Sequence, residues 1–381
     1  MQILTRTIQQ TILSELRPGK VIVIVGARRI GKTVLLNQIL EQIDESPLLI
    51  HGEDFTIQKM LQNRSTANYV NFLDGKRLLV IDEAQKIPEV GKILKLMVDT
   101  IADLRVIITG SSAFDLAHYT GEPLTGRKLT FQLFPLSEKE LSQIENRIEK
   151  PDNLRHRLVY GNYPELLHLQ DNEFRVRYLR DMLQSYLLKD ILAFENIKNS
   201  DKIFDLLRLL AFQVGGEVSQ NELGRQLGMS KETVDKYLDL LSKVFIIHRV
   251  GGFSRNLRKE VSKSNKWYFY DNGIRNTLIS NDNPIELRND TGQLWENYII
   301  SERIKAQHYG NMLVNNFFWR TYDQQEIDWI EERGGKLYAY EIKWSQKKRT
   351  KVPTAWAKHY PDASFQVIHQ DNYLDWLDLR I

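Results

Sequence analysis

Val21-Ile22-Val23-Ile24-Val25-Gly26-Ala27-Arg28-Arg29-Ile30-Gly31-Lys32-Thr33 is the stretch on which the fold turns. Five consecutive β-branched residues with no polar alternation describe a strand covered on both faces, since a half-exposed strand would alternate with period two. Gly26 to Thr33 then fits G-x-x-x-x-G-K-[ST], and helical spacing follows from about Thr33 to Ile43. Strand, glycine loop and helix start, in that order, make a phosphate cradle. Backbone N–H groups wrap a β-phosphate at a helix N-terminus, where the dipole favours negative charge. Lys32 is placed to reach the β- and γ-phosphates, and the Thr33 hydroxyl to take one Mg²⁺ position. Gly26, Ala27, Arg28, Arg29, Ile30, Gly31 and Val34 complete the expected ATP-binding set.

Similar apolar runs recur at Leu48–Ile50, Leu78–Ile81 and Val106–Ile108, separated by helical stretches such as Val90–Ala102. Strands alternating with helices predict a parallel α/β sheet, with Leu129–Phe134 as a fifth strand. The third run ends in Asp82-Glu83, two carboxylates at the edge where ligands bind in open α/β sheets. Asp82 is placed to hold Mg²⁺ through water, and Glu83 to orient or deprotonate the attacking water. Thr109 and Ser111, in Thr109-Gly110-Ser111-Ser112, either sense the γ-phosphate or form a plain turn.

The rest of the chain reads as further modules. Over 381 residues, 52 Lys+Arg against 49 Asp+Glu give a charge of +3, which excludes a globally basic nucleic-acid coat. Cysteine is absent, removing disulfide scaffolds, thiolate metal sites and Cys nucleophiles, and with no signal-like or membrane-spanning run the expectation is a cytoplasmic protein without a membrane partner. All seven Trp lie at or beyond Trp267, a skew that a single domain would seldom show. The expected boundaries are 1–136 for the ATPase core, 137–210 for a helical lid, 211–283 for a winged helix and 284–381 for a last α/β domain. The winged helix rests on helices Gln220–Leu227 and Lys231–Lys243, followed by strands Phe245–Val250 and Trp267–Tyr270. Its second helix presents Lys231, Glu232, Thr233 and Lys236, and its hairpin Arg255, Arg258, Lys259, Lys263 and Lys266, a set suited to phosphates, although Asp235 and Asp239 count against DNA.

The phosphate loop with its double Arg, Asp82-Glu83-Ala84-Gln85, Thr109-Gly110-Ser111-Ser112 and Leu124-Thr125-Gly126-Arg127 together resemble the AAA-type P-loop ATPases of archaea and bacteria that carry a carboxyl-terminal DUF4143 domain. The resemblance covers nearly the whole chain. It implies an extra strand between the phosphate-loop strand and the Asp-Glu strand. It also implies a role for Arg127 as an arginine finger, in trans if the protein is a homo-oligomer. Pairing of Arg127 with an acid of its own chain is the alternative.

Glu326-Ile327-Asp328-Trp329 and Tyr340-Glu341-Ile342-Lys343 flank a Gly334-Gly335 turn, and the period of two puts Asp328 near Glu341 and Lys343. An acid facing E-x-K is what a metal-dependent phosphodiesterase needs, with Asp328 and Glu341 on Mg²⁺ and Lys343 on a water or the phosphorane. Glu296, on the preceding helix, is a further candidate carboxylate. The order helix, three strands, helix, strand resembles the restriction-endonuclease-like PD-(D/E)xK fold. Lys343, Lys347, Lys348, Arg349 and Lys351 add a basic run beside it. Two outputs stay open: DNA or other nucleic-acid processing, and a nucleotide-dependent switch that binds a protein partner with the last domain catalytically silent.

Overall fold

Five apolar runs become five parallel strands. The computed structural model describes residues 4–111, 124–146, 148–184, 200–254, 265–321, 323–345 and 350–378. Ser112, Arg255, Arg258, Lys259, Lys263, Lys347, Lys348 and Arg349 lie outside the described residues. The chain divides into two compact units, residues 1–143 with 243–245, and residues 144–242 with 246–381.

The first unit runs α1 (Gln9–Glu15), β1 (Val21–Val25), α2 (Lys32–Leu40), β2 (Leu48–His51), α3 (Phe55–Gln62), α4 (Thr66–Leu73), β3 (Leu78–Asp82), α5 (Val90–Thr100), β4 (Arg105–Gly110), β5 (Lys128–Gln132) and α6 (Glu138–Leu141). Its sheet has the order β2-β3-β4-β1-β5, all pairs parallel, so β4 is the strand inserted between the phosphate-loop strand and the Asp-Glu strand. Every residue of β1 and β3 is buried, as unbroken apolar runs require. Each Val, Ile or Leu so covered contributes about 1.5–3 kcal/mol. Because the strands are parallel, Val25, Asp82 and Gly110 end at one edge, and the loops that follow them meet there. Helices α3 and α4 start at Asp54 and Ser65, whose side chains accept from Thr56 N at 2.8 Å and Asn68 N at 3.2 Å.

The second unit contains α7 (Lys150–Tyr160), α8 (Asn172–Met182), α9 (Ser200–Phe212), β6 (Glu217–Val218), α10 (Gln220–Leu227), α11 (Lys231–Lys243), β7 (Ile247–Gly252), β8 (Asn265–Phe269) and α12 (Asn272–Leu278). Then come α13 (Thr291–Tyr309), β9 (Asn315–Arg320), β10 (Glu326–Arg333), β11 (Lys336–Ile342), α14 (Thr354–His359), β12 (Ser364–Ile368) and α15 (Tyr373–Leu377). The order from α13 to β12 is the helix, three strands, helix, strand that the spacing predicts. One mixed sheet, β12-β11-β10-β9-β7-β8-β6, contains strands from both sides of residue 284, joined where Gly251 and Gly252 of β7 pair with Phe317 and Phe318 of β9. A buried polar frame anchors the loop at Gly161-Asn162. The Asp271 carboxylate accepts from Asn162 N at 2.7 Å and Gly273 N at 2.9 Å, and Asn297 on α13 receives Phe269 N at 2.7 Å. Among the described residues no helix is long and apolar enough to cross a membrane.

Candidate functional site

The phosphate loop is shaped by contacts behind it. Gly26 has φ +153°, and a Cβ there would lie 2.3 Å from the Leu133 carbonyl oxygen and 2.4 Å from the Ile30 side chain. Any other residue would push the loop off the segment that follows β5. Gly31 caps α2 with φ +92°, leaving the first N–H groups of the helix aimed into the loop. Lys32 is only 6% exposed, and its ammonium donates to Gly26 O at 3.0 Å and Ala27 O at 2.9 Å. It spans the cradle that a phosphate chain would enter. Arg28 is half-buried, and Arg29 and Val34 are exposed.

Asp82 joins the loop to the sheet. Thr33 Oγ1 donates to Asp82 Oδ2 at 2.9 Å, while Thr109 Oγ1, from β4, bonds the other carboxylate oxygen. Thr109 also accepts from Glu83 N at 3.0 Å. Glu83 takes φ +53°, a left-handed conformation uncommon for a long side chain, as the chain turns off β3. Gln85 Nε2 donates to Glu83 Oε2 at 2.5 Å and to Ser111 Oγ at 3.2 Å. Gly52, beyond β2, sits so close that a Cβ would lie 2.2 Å from Glu83 O. Thr33, Asp82, Glu83, Thr109 and Ser111, far apart in sequence, thus meet at one sheet edge. The donor set is all oxygen, with a hydroxyl and a carboxylate in direct contact, and it fits Mg²⁺.

Arg6 is a site residue with no motif to announce it. Its guanidinium is 4% exposed and donates to Ile30 O at 2.6 Å, Phe134 O at 2.6 Å and Glu140 Oε1 at 3.0 Å. Glu140, fully buried, also accepts from Thr7 N and Ser137 N, each at 2.9 Å. One planar fork therefore clamps the phosphate loop to the segment after β5. Arg127 pairs with Asp99 of its own chain. It precedes β5, whose Lys128 lies beside Val21 at the start of β1, so Arg127 stands at the opposite end of the strands from its own phosphate loop.

In the second unit the structure brings Asp328, Glu341 and Lys343 together. Lys343 Nζ is 2.6 Å from Glu341 Oε1 and 3.8 Å from Asp328 Oδ2, and Ile342 N donates to Asp328 Oδ2 at 2.8 Å. Glu296 stands within the field of Asp328; the Tyr268 hydroxyl donates to its Oε1 at 2.7 Å and Lys266 Nζ lies 3.8 Å from the same oxygen. Here one expectation is overturned. Lys266, expected on the surface of a basic hairpin, has a side chain only 3% exposed and lies 2.5 Å from Glu326 Oε1 and 3.8 Å from Glu296 Oε1. The period of two along β8 explains it, because Lys266 shares a face with Tyr268. Burial, then the charge of Asp328, pushes Glu296 up to about 7. Burial also raises Asp328, and burial followed by the Asp328 charge raises Glu341. Burial opposes the Lys266 ammonium, but Glu296, Asp328 and Glu326 outweigh it and hold its pKa above the usual lysine value. The Mg²⁺ expected on Asp328 and Glu341 would meet ammonium groups already seated there, Lys343 on Glu341 and Asp328, and Lys266 on the neighbouring Glu326 and Glu296.

Comparison with known families agrees with the geometry. Residues 18–142 match an AAA domain and residues 291–375 a domain of unknown function, DUF4143. The chain thus carries an AAA-type P-loop domain and, toward its carboxyl terminus, a DUF4143 domain. Between the AAA and DUF4143 domains, residues 151–285 match a second domain of unknown function, DUF8612. An uncharacterized protein of Mycobacterium tuberculosis is 26% identical over 343 residues, covering 89% of this chain and 72% of that protein. An uncharacterized protein of Methanocaldococcus jannaschii is 25% identical over 366 residues, covering 90% of this chain and 80% of that one. Among solved structures, the Thermotoga maritima RuvB Holliday junction branch migration motor aligns at 18% identity with a TM-score of 0.34, over 65% of this chain and 90% of that one.

Proposed function

We propose that the AAA domain hydrolyses ATP to ADP and phosphate with Mg²⁺, and that its nucleotide state sets the binding behaviour of the second unit. The observation that carries the first part is the Asp82 carboxylate clasped between the Thr33 and Thr109 hydroxyls, with Glu83 next in the chain. Thr33 and Asp82 would hold the metal, which when bound neutralises charge on the phosphates. Lys32 would exchange its two loop carbonyls for phosphate oxygens. Glu83, steadied by Gln85, would orient the attacking water and take its proton, and Thr109 and Ser111 tie its position to the end of β4. The test is nucleotide binding followed by phosphate release. Lys32→Ala is expected to lose ATP affinity at least roughly a hundredfold, since it removes a buried ammonium facing the phosphates. Unchanged affinity in that variant would disprove the assignment of the loop.

For the second unit, α10, α11 and the β7–β8 hairpin support a winged-helix reading. Of the two outputs, a protein partner is favoured over DNA. Helix α11 exposes Glu232, Asp235 and Asp239 beside Lys231 and Lys236, and Lys266 is withdrawn from the hairpin surface. Pull-downs with Glu83→Gln, locked with ATP, against Lys32→Ala should then recover different partners. Equal capture by both, or salt-sensitive DNA binding by either, would overturn this choice.

A further inference from the structure

We infer that the Lys266 ammonium is the built-in cation of the carboxyl-terminal acidic centre, so that Glu296, Glu326 and Asp328 are held together by the chain itself and not by a divalent ion. This goes beyond the ATPase reading and stands independently of it, because every residue involved lies in the second unit. Burying an ammonium without partners costs several kcal/mol, so a lysine only 3% exposed in its side chain must have its counter-charges built around it. They come from two elements: Glu326 on β10 at 2.5 Å and Glu296 on α13 at 3.8 Å. The Phe318 ring from β9 closes another side, its centroid 5.3 Å from Nζ.

Further donors of the chain engage the centre. Tyr268 donates to the Glu296 oxygen that faces Lys266, Ile342 N donates to Asp328 Oδ2, and the Lys343 ammonium takes Glu341 at 2.6 Å. Mg²⁺ demands near-octahedral oxygen ligands at about 2.1 Å, and Mn²⁺ favours the same kind of oxygen ligands. In this centre two ammonium groups and two neutral donors already engage one oxygen on each of Glu296, Glu326, Asp328 and Glu341, oxygens that such an ion would otherwise draw on. Lys266 therefore closes what would otherwise be a surplus of buried negative charge. Its removal should leave Glu296, Glu326 and Asp328 short of a cation and create an affinity that the intact chain lacks.

Titration calorimetry with Mn²⁺ on the nucleotide-free full chain tests this, using an Asp82→Asn background to silence the AAA site. With Lys266 present, no Mn²⁺ site is expected. Lys266→Met should gain one, at least roughly tenfold tighter than any residual Mn²⁺ binding of the Lys266-containing chain, and should lose it again when Glu296→Gln is added. The melting temperature of Lys266→Met should fall and be raised specifically by millimolar Mn²⁺, while Lys266→Arg stays near the parent. A stoichiometric Mn²⁺ site in the Lys266-containing chain, abolished by Asp328→Asn, overturns the inference, as does a folded Lys266→Met that neither binds Mn²⁺ nor responds to it. If Lys266→Met does not fold, the Lys266-containing chain decides. A Mn²⁺ site lost on Asp328→Asn refutes the proposal, whereas no site together with an unmoved melting temperature supports it.

Discussion

Asp82 with Glu83, at the end of β3, and Asp328 with Glu341, on β10 and β11, are two acid pairs of two sheets, and they are partnered in opposite ways. The first pair meets hydroxyls, an amide side chain and its own backbone: Thr33 and Thr109 on Asp82, Gln85 on Glu83. The second pair meets ammonium, with Lys343 on Glu341 and Asp328, and Lys266 on the neighbouring Glu296 and Glu326. A hydroxyl orients a carboxylate without cancelling its charge and can turn aside when a cation arrives. An ammonium cancels the charge and cannot be displaced without leaving a buried ion uncompensated. The same residue types thus meet displaceable hydroxyls in one unit and, at Lys266, a buried counter-cation in the other.

The largest expected effect breaks the comparison if it fails. Glu83→Gln keeps the shape and the hydrogen bond to Gln85 but removes the proposed base, so turnover should fall roughly 10²- to 10⁴-fold while ATP affinity is retained. Single-turnover phosphate release alongside equilibrium binding checks it, and retained turnover moves the base elsewhere.

The second unit makes a pH prediction of smaller size. Glu296 titrates at about 7 in the folded chain against 4.5 for an ordinary glutamate. Between those values the folded chain binds more protons than the unfolded one, so this group's contribution to stability is full below about 4.5 and declines as pH rises to about 7. Asp328 and Glu341, also raised, act in the same direction. Glu296→Gln should flatten the decline by something on the order of 1–3 kcal/mol across that window. Urea melts at pH 5 and pH 7.5 measure it; an unaltered slope would show that Glu296 is not the group responsible.

Arg127 carries the smallest effect and sharpens where the ATPase site ends. Its bond to Asp99 is half-exposed and contributes little to stability, on the order of 0–1 kcal/mol. A role as arginine finger belongs to a second copy, because Arg127 stands at the far end of its own strands. Turnover per chain should then rise with protein concentration in the parent and stay flat in Arg127→Ala. An equal loss at every concentration would rule out the role in trans.

How much of this was legible in the sequence follows from where the partners lie. Strands covered on both faces read as unbroken runs, so β1, β3 and β4 and the edge carrying Asp82 and Glu83 are visible directly. Helices α12 and α15, with 7 and 5 residues, are too short for a 3.6-residue period to emerge. For α3 and α4 the signal lies in the caps Asp54 and Ser65, not in their apolar spacing. Lys266 misleads because a basic residue beside a glycine- and serine-bearing hairpin reads as solvated, and only its alternation with Tyr268 hints that it faces inward. Arg6 gives no local signal at all, since its Glu140 partner is 134 residues away.

That distance has a consequence for how the protein is made. The phosphate loop is complete in sequence by Thr33, yet its rear wall is Leu133 and the clamp on Ile30 O is steadied by Glu140. During synthesis the loop leaves the ribosome more than a hundred residues before those supports. At about 5–20 residues per second it waits about 5–20 seconds in an unfinished state. Nucleotide has no ordered cradle to stabilise until then, so ligand-assisted folding of this unit begins only when the residues after β5 have emerged.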